Sequence, residues 1–319
     1  MRANYIAKRL VFAVLTIFIA TTFDFVLFRS TPGSPLVDLS RLPTATAQTK
    51  QALARSFGLN KSEWNQYEAY LDQLVHGNLG LSYDNEQPVI DNLSTAMANT
   101  VPMVALGTAV ALIAGIAGGV VSAWRRGTAA DHVGTGTAIG LSSLPTQWLG
   151  LLLIIGFAGI LPTSGMTNDF LINPSFWQHF GDVVDHMLLP ALTLAVSLVG
   201  SYLLIVRSSV LEALREDYIL TARAKGLTAR AVLARHALPN AMLPTTTMIS
   251  LSLGYLVTGA ILIETVFSWP GIGRAIYQGV LDRDYPTLQG GFLILTVSVV
   301  LCNLAADLVY LRLDPRVAQ

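Results

Sequence analysis

Six apolar stretches decide what this chain can become. They cover roughly residues 10–28, 101–124, 138–161, 187–206, 243–263 and 288–311. A hydrocarbon core takes about 20 apolar residues of helix to cross. Within lipid, each segment must pair its own backbone groups. Each run approaches or exceeds that length, and several contain Gly, Pro, Ser or Thr, which membrane helices tolerate when neighbours satisfy the disturbed backbone. Composition agrees: of 319 residues, 52% are hydrophobic and only 13% charged, with mean hydropathy +0.54. The expected fold class is an all-α polytopic membrane protein with about six transmembrane helices.

Formal net charge is +0, so total charge points to no nucleic-acid partner, and only its distribution is informative. Arg2, Lys8 and Arg9 precede the first run. That run is longer than a signal-peptide core and lacks a small-x-small cleavage site, which predicts an uncleaved first span. Asp24, near its far end, either reaches the interface or faces a helix partner or water. With the N-terminus in the cytoplasm, Arg125, Arg126, Arg207, Arg215, Arg223, Lys225, Arg230, Arg235, Arg312 and Arg316 fall inside. Asp169, Asp182, Asp185, Asp282 and Asp284 then fall outside. This basic bias predicts both termini in the cytoplasm.

The chain divides into a cytoplasmic N-terminus and first helix (1–28), a small extracytoplasmic insertion (29–99) and a membrane core (100–319). The core carries a cytoplasmic loop at 207–243. In the insertion, 44–57 and 62–75 have helical spacing, the second with Trp64, Tyr67, Tyr70, Leu71 and Leu74 as apolar contacts. Residues 77–82 read as a turn. Small residues from Gly115 to Gly119 permit close helix packing.

The loop carries the most specific signal, Asp217-Tyr218-Ile219-Leu220-Thr221-Ala222-Arg223-Ala224-Lys225-Gly226-Leu227, continuing through Arg235 to His236-Ala237-Leu238-Pro239-Asn240. It reads as two short helices. Asp217 caps the first, and Gly226 supplies the left-handed residue that ends it, with Arg223 and Lys225 at its negative end. Thr228 caps the second, which Pro239 and Pro244 limit or bend. Thr221, Ala222, Ala224 and Gly226 are small enough to let another protein come close. A plain solvated connection is the competing reading.

This order of residues resembles the cytoplasmic loop of binding-protein-dependent ABC importer permeases, more narrowly those of the dipeptide/oligopeptide/nickel group. Further segments match the same family: Thr31-Pro32-Gly33-Ser34-Pro35, the glycine turn at 77–82, Glu264-Thr265-Val266-Phe267-Ser268-Trp269-Pro270-Gly271-Ile272-Gly273, and the run from Asp307 and Tyr310 to Asp314-Pro315-Arg316. Ser34 departs from the Asp frequent in peptide permeases. Thr221 stands where the wider family has the Glu of its Glu-Ala-Ala motif. The resemblance implies a type I ABC importer permease fold, with residues 217–227 as the coupling helix that contacts an ATPase. It further implies a second homologous permease (a heterodimer), two ATP-binding subunits and an extracytoplasmic solute-binding protein, with ATP and Mg bound by the ATPases. Short peptides are the implied cargo; nickel chelates and glutathione are alternatives.

Catalytic signatures are missing. The chain has no Gly-x-x-x-x-Gly-Lys-Ser/Thr phosphate loop, no His-Glu-x-x-His, and a single cysteine, Cys302, read as packing. No catalytic residue, metal or cofactor is expected in this chain. His179 and His186, seven apart, form a weak metal-entry candidate, and His236 is expected to hydrogen-bond within the loop. Glu264 and Asp307 are possible pathway or interface residues, Glu264 as an interfacial carboxylate beside interfacial aromatics. An intramembrane enzyme or an ion-coupled transporter would need those carboxylates and Asp24.

Overall fold

The computed structural model describes residues 2–30, 62–168, 170–242 and 260–313. Its regular elements there are helices: α1 (Arg2–Ser30), α2 (Glu63–Val75), α3 (Val89–Trp124), α4 (Ala129–Ser143), α5 (Thr146–Phe157), α6 (Phe176–Ala213) and α7 (Asp217–Ala224). After these come α8 (Ala229–Val232, continued by a π turn over Leu233–Ala237 and on to residue 242), α9 (residues 260–266), α10 (Ile272–Asp282) and α11 (Tyr285–Leu313). The expected helix at 44–57, Pro244 and the segments 31–35 and 314–316 lie outside the described residues, as does most of the span expected at 243–263.

Ile6–Phe28, Val89–Trp124, Phe176–Ala213 and Tyr285–Ala305 are each long and apolar enough to cross a membrane. Helices α4 and α5 pass that test as a pair, and they meet at 104°. The span expected as one continuous helix over 138–161 is therefore two helices. The cause is local: Pro145 lacks an N–H and disfavours helical geometry in the residue before it. Leu144 accordingly turns extended, with φ -81 and ψ 133.

Helices α3 and α6 are longer than the runs that announced them, at 36 and 38 residues. At about 1.5 Å per residue each reaches roughly 55 Å, well beyond a hydrocarbon core of about 30 Å. The polar turns beyond the apolar stretch account for the difference. Ser175 starts α6 with a reciprocal cap: its hydroxyl accepts the Gln178 N–H, and the Gln178 side chain accepts the Ser175 N–H at 2.9 Å.

The chain divides into two compact units, Met1–Thr100 with Pro270–Leu304 and Val101–Trp269 with Ala305–Gln319. In the second, α3 and α6 approach closely. A Cβ added at Gly115 would lie 2.5 Å from Tyr202 Cβ, and one at Gly119 would lie 2.7 Å from the Leu203 carbonyl oxygen. This bears out the close packing read from 115–119. Lipid offers helices no hydrophobic drive to associate, so contact area gained through small residues must supply it.

In the first unit, α2 lies over the end of α1. The Thr22 and Tyr67 hydroxyls are 2.7 Å apart, and Phe25 packs on Tyr67 and Tyr70 at ring distances of 5.2 and 5.5 Å. Asp24 is consequently only 8% exposed, so it faces a helix partner. Cover by α2, whose position the hydropathy of α1 does not encode, makes the difference. Asp284 anchors the start of α11. It accepts the Tyr83 N–H at 3.1 Å and the Thr287 N–H at 3.3 Å, together with the Ser82 and Thr287 hydroxyls. The turn expected at 77–82 is thereby tied to a helix start.

Two outcomes follow from this packing. Gly119→Leu should lower the thermal midpoint of the detergent-solubilised protein, at an overpacking cost of about 1–3 kcal/mol. Gly136→Leu, where an added Cβ meets nothing within 4 Å, should leave that midpoint unchanged. Asp284→Ala removes a helix cap and strands buried donors, a loss of about 2–4 kcal/mol. Asp284→Asn should lose less in the same unfolding measurement.

Candidate functional site

The loop following α6 is built as two short helices. Eight residues in isolation make a marginal helix, so α7 depends on its packing. Ile219 and Ala222, three apart and on one face, are 1% and 4% exposed. They join a cluster with Val206, Val210 and Ala213 of α6, Ala123 of α3, and Val232, Ala237 and Ala241 of α8. Leu227 packs against the same cluster.

The other face of α7 is open. Tyr218 is 38% and Leu220 62% exposed. Asp217, Thr221, Arg223, Ala224, Lys225 and Gly226 are exposed as well. An aromatic and a leucine flanked by Arg223 and Lys225 make an apolar patch with a basic rim. Ala222, grouped by sequence with the small docking residues, instead points into its own subunit. The helical period puts it on the Ile219 face, and a larger side chain there would pry α7 loose.

The ends of α7 follow the sequence in one case and depart from it in the other. Gly226 is left-handed, with φ 77, and donates its N–H to the Arg223 carbonyl at 2.9 Å. Asp217, expected as the cap, lies one position inside: the N-cap residue is Glu216, with φ -70 and ψ 149 and no side-chain cap hydrogen bond. Asp217 still places a carboxylate in the first turn, where the helix end is positive. The turn leaving α6, closed by Glu216 N–H to the Ala213 carbonyl at 3.3 Å, sets this offset.

Thr228 caps α8 as expected, its hydroxyl accepting the Ala231 N–H at 3.3 Å. Pro239 does not end the helix, which runs on to residue 242. Instead, the turn before it widens, and the Leu238 N–H reaches back five residues to the Leu233 carbonyl. Proline supplies no N–H to the Arg235 carbonyl and crowds it, and a π turn accommodates both effects. Arg235 and Pro239 are exposed. The Asn240 amide donates to the backbone carbonyl of His236 at 3.0 Å, so the loop bond expected of His236 is made by its main chain.

Glu264 and the loop residues belong to different clusters. Glu264 is fully buried, next to Ile263, Phe267 and Trp269, each 1% exposed. These three pack with Met103 and Leu189, so the carboxylate and the aromatics are covered by protein and not laid open on the surface. The chain folds back over 264–269, with the Trp269 N–H on the Glu264 carbonyl at 2.9 Å and the Gly165 N–H on the Phe267 carbonyl at 2.9 Å. That reversal turns the aromatics inward. Asp307 is half-buried on α11. His186 packs within α6 against Asp182, 3.3 Å from its carboxylate.

Two features escaped the reading by motif. Leu220 is the most exposed large apolar side chain of α7, visible only once the buried face is known. Arg207, read as a topology-setting cation, pairs with Asp131 across 76 residues at 2.7 Å. The available signal was an acid and a base each lying at the edge of an apolar run, Asp131 before the run at 138–161 and Arg207 directly after the run at 187–206.

Comparison with known proteins is consistent across the chain. A profile of the family described as binding-protein-dependent transport system inner membrane component matches residues 115–319. The dipeptide transport system permease protein DppB of Escherichia coli (strain K12) is 36% identical over 333 aligned residues, 98% of each chain. DppB of Alkalihalophilus pseudofirmus is 34% identical over 98% of each chain. The glutathione transport system permease protein GsiC of Escherichia coli (strain K12) is also 34% identical over 98% of each chain. With its apolar helices, its two-helix loop and a match over well more than half its length, this chain belongs to the family of inner membrane components of binding-protein-dependent transport systems.

Proposed function

We propose that the chain is the membrane-spanning subunit of an ABC importer and lines the translocation pathway for short peptides. The observation that carries this reading is full-length likeness to permeases named for dipeptide and glutathione transport. Glutathione is itself a small peptide, so both names describe one kind of cargo. Glutathione is the second reading, favoured by GsiC alone.

In this proposal the working surface is α7. Its buried face, Ile219 and Ala222, is fixed to α6. Its open face, with Tyr218, Leu220, Thr221, Arg223, Ala224 and Lys225, seats in a groove of an ATPase subunit. Exposed apolar side chains rimmed by charge are the usual anchors of such contacts. Arg235, His236, Pro239 and Asn240 shape the second helix that supports it. Two ATP-binding subunits hydrolyse ATP with bound Mg, and this chain contributes no catalytic group. A second, different permease completes the pathway, and an external solute-binding protein delivers cargo. Basic residues from Arg207 to Arg235 support a cytoplasmic position for the loop and both termini.

Mechanically, the ATPases bias an equilibrium between inward-open and outward-open states by binding one more tightly than the other. Movement of α7 reaches α6 through Val206, Val210 and Ala213. Glu264 and Asp307 are kept as pathway or interface residues in this scheme, Glu264 acting from within the core.

The test uses the assembled complex. A cysteine replacing Arg223 should cross-link to a nucleotide-binding subunit. Leu220→Glu should lower dipeptide uptake at least about tenfold, as loss of a hot-spot contact does, with membrane insertion intact. Full uptake by Leu220→Glu, or no capture from position 223, would overturn the role given to α7.

A further inference from the structure

Buried Asp131 and half-buried Arg207 form an ion pair that the transport scheme above does not use. Asp131 sits in the first turn of α4 and is 2% exposed. The guanidinium grips it with two bonds, Nε to Oδ1 at 2.7 Å and Nη2 to Oδ2 at 2.9 Å. Ser122 near the end of α3 donates its hydroxyl to Oδ1 at 2.6 Å, Thr135 donates its own to Oδ1 at 3.3 Å, and the Gly127 N–H donates to Oδ2 at 2.9 Å. One carboxylate thus gathers α3, the turn after it, α4 and α6.

Its position along the helices matters more than its strength. Arg207 follows Val206 and precedes Val210, the α6 residues on which α7 is packed. Seven residues back along α6, Gly200 lies against the Ala138 carbonyl, seven residues forward along α4. Helices α4 and α6 are therefore antiparallel and pack along their length, and these two points on the shared face are roughly 10 Å apart, from about 1.5 Å of rise per residue. At one point Gly200 meets the Ala138 carbonyl and the Ser142 hydroxyl, and at the other lies a bidentate charge pair. Beyond Ser143, α4 meets the 104° bend into α5.

We propose that Asp131 and Arg207 are positioning residues for transport, a latch that makes α4 travel with α6. Displacement of α7 then reaches the bend between α4 and α5 and not α6 alone. This rests on the reading of α7 as the ATPase-facing helix. Loss of Arg207 leaves the buried Asp131 carboxylate without its counter-charge; the packed face between α4 and α6 remains, so the helices stay in contact but lose the register that the charge pair fixes. The geometry is specific to guanidinium, because lysine offers a point charge without the fork.

The experiment uses the complete complex in lipid vesicles with its binding protein and a dipeptide. It reads uptake, ATP hydrolysis and capture of the ATPase from a cysteine replacing Arg223. In Arg207→Gln, capture and hydrolysis should persist, while peptide moved per ATP falls at least about fivefold, the lower range of a coupling loss. Arg207→Lys should fall between the two. Should Arg207→Gln fail to accumulate, Arg207→Lys decides by the same ratio. An unchanged ratio in the variant that accumulates, with capture intact, overturns the latch alone. A parallel fall in uptake and hydrolysis also overturns it, since that marks a merely structural pair. Failure of capture in the otherwise unsubstituted complex overturns the role of α7, and this inference with it.

Discussion

Close backbone approach between α3 and α6 is the contact on which the larger unit depends. Among lipid tails an apolar side chain gains nothing by leaving its surroundings, so helices associate through fit and polar pairing. Gly115 and Gly119 remove the side chains that would hold Tyr202 and Leu203 away. Tyr202 is accordingly 2% exposed and Val206 fully buried. With α6 held against α3, its last turns offer Val206, Val210 and Ala213 as a platform for α7. A helix too short to persist alone acquires a fixed orientation in this way. The surface assigned to ATPase contact therefore depends on glycines that lie in a different helix.

Polar groups in the same unit follow a second constraint. A charge taken out of water is tolerated when it is paired and hydrogen-bonded. Asp131 meets this with Arg207, Ser122, Thr135 and the Gly127 N–H. Pro145 meets the equivalent backbone problem by ending one helix and starting another, and Pro239 by widening a turn. Each irregularity has an identifiable cause in a residue that lacks a donor or carries a charge.

Motif and packing divide the loop between them. Thr228 and Gly226 act where their chemistry says they should, since a cap and a left-handed residue are decided within a few residues. Ala222 shows where that reasoning stops. Smallness alone is equally compatible with receiving a foreign groove and with lying against one's own core. Only the phase of α7 relative to α6 separates the two, and that phase puts Ala222 inside and leaves Leu220 outside. Glu264 is a parallel case: a carboxylate beside Phe267 and Trp269 has interfacial composition, yet the fold-back over 264–269 carries all three inward.

What the sequence alone determined is the membrane-spanning class, the helical character of the segments, the two-helix loop with its local stops, and the family. These rest on hydropathy summed over about twenty residues and on hydrogen bonds between near neighbours, both of which are written locally. Tertiary structure alone decided the burial of Asp24 and Glu264, the free face of α7, and the joining of Asp131 to Arg207. Those outcomes depend on which surfaces meet across dozens of residues, and side-chain type restricts such meetings without specifying them. The bend at Pro145 lies between the two: a local signal breaks the helix, and packing sets the 104° at which it resumes.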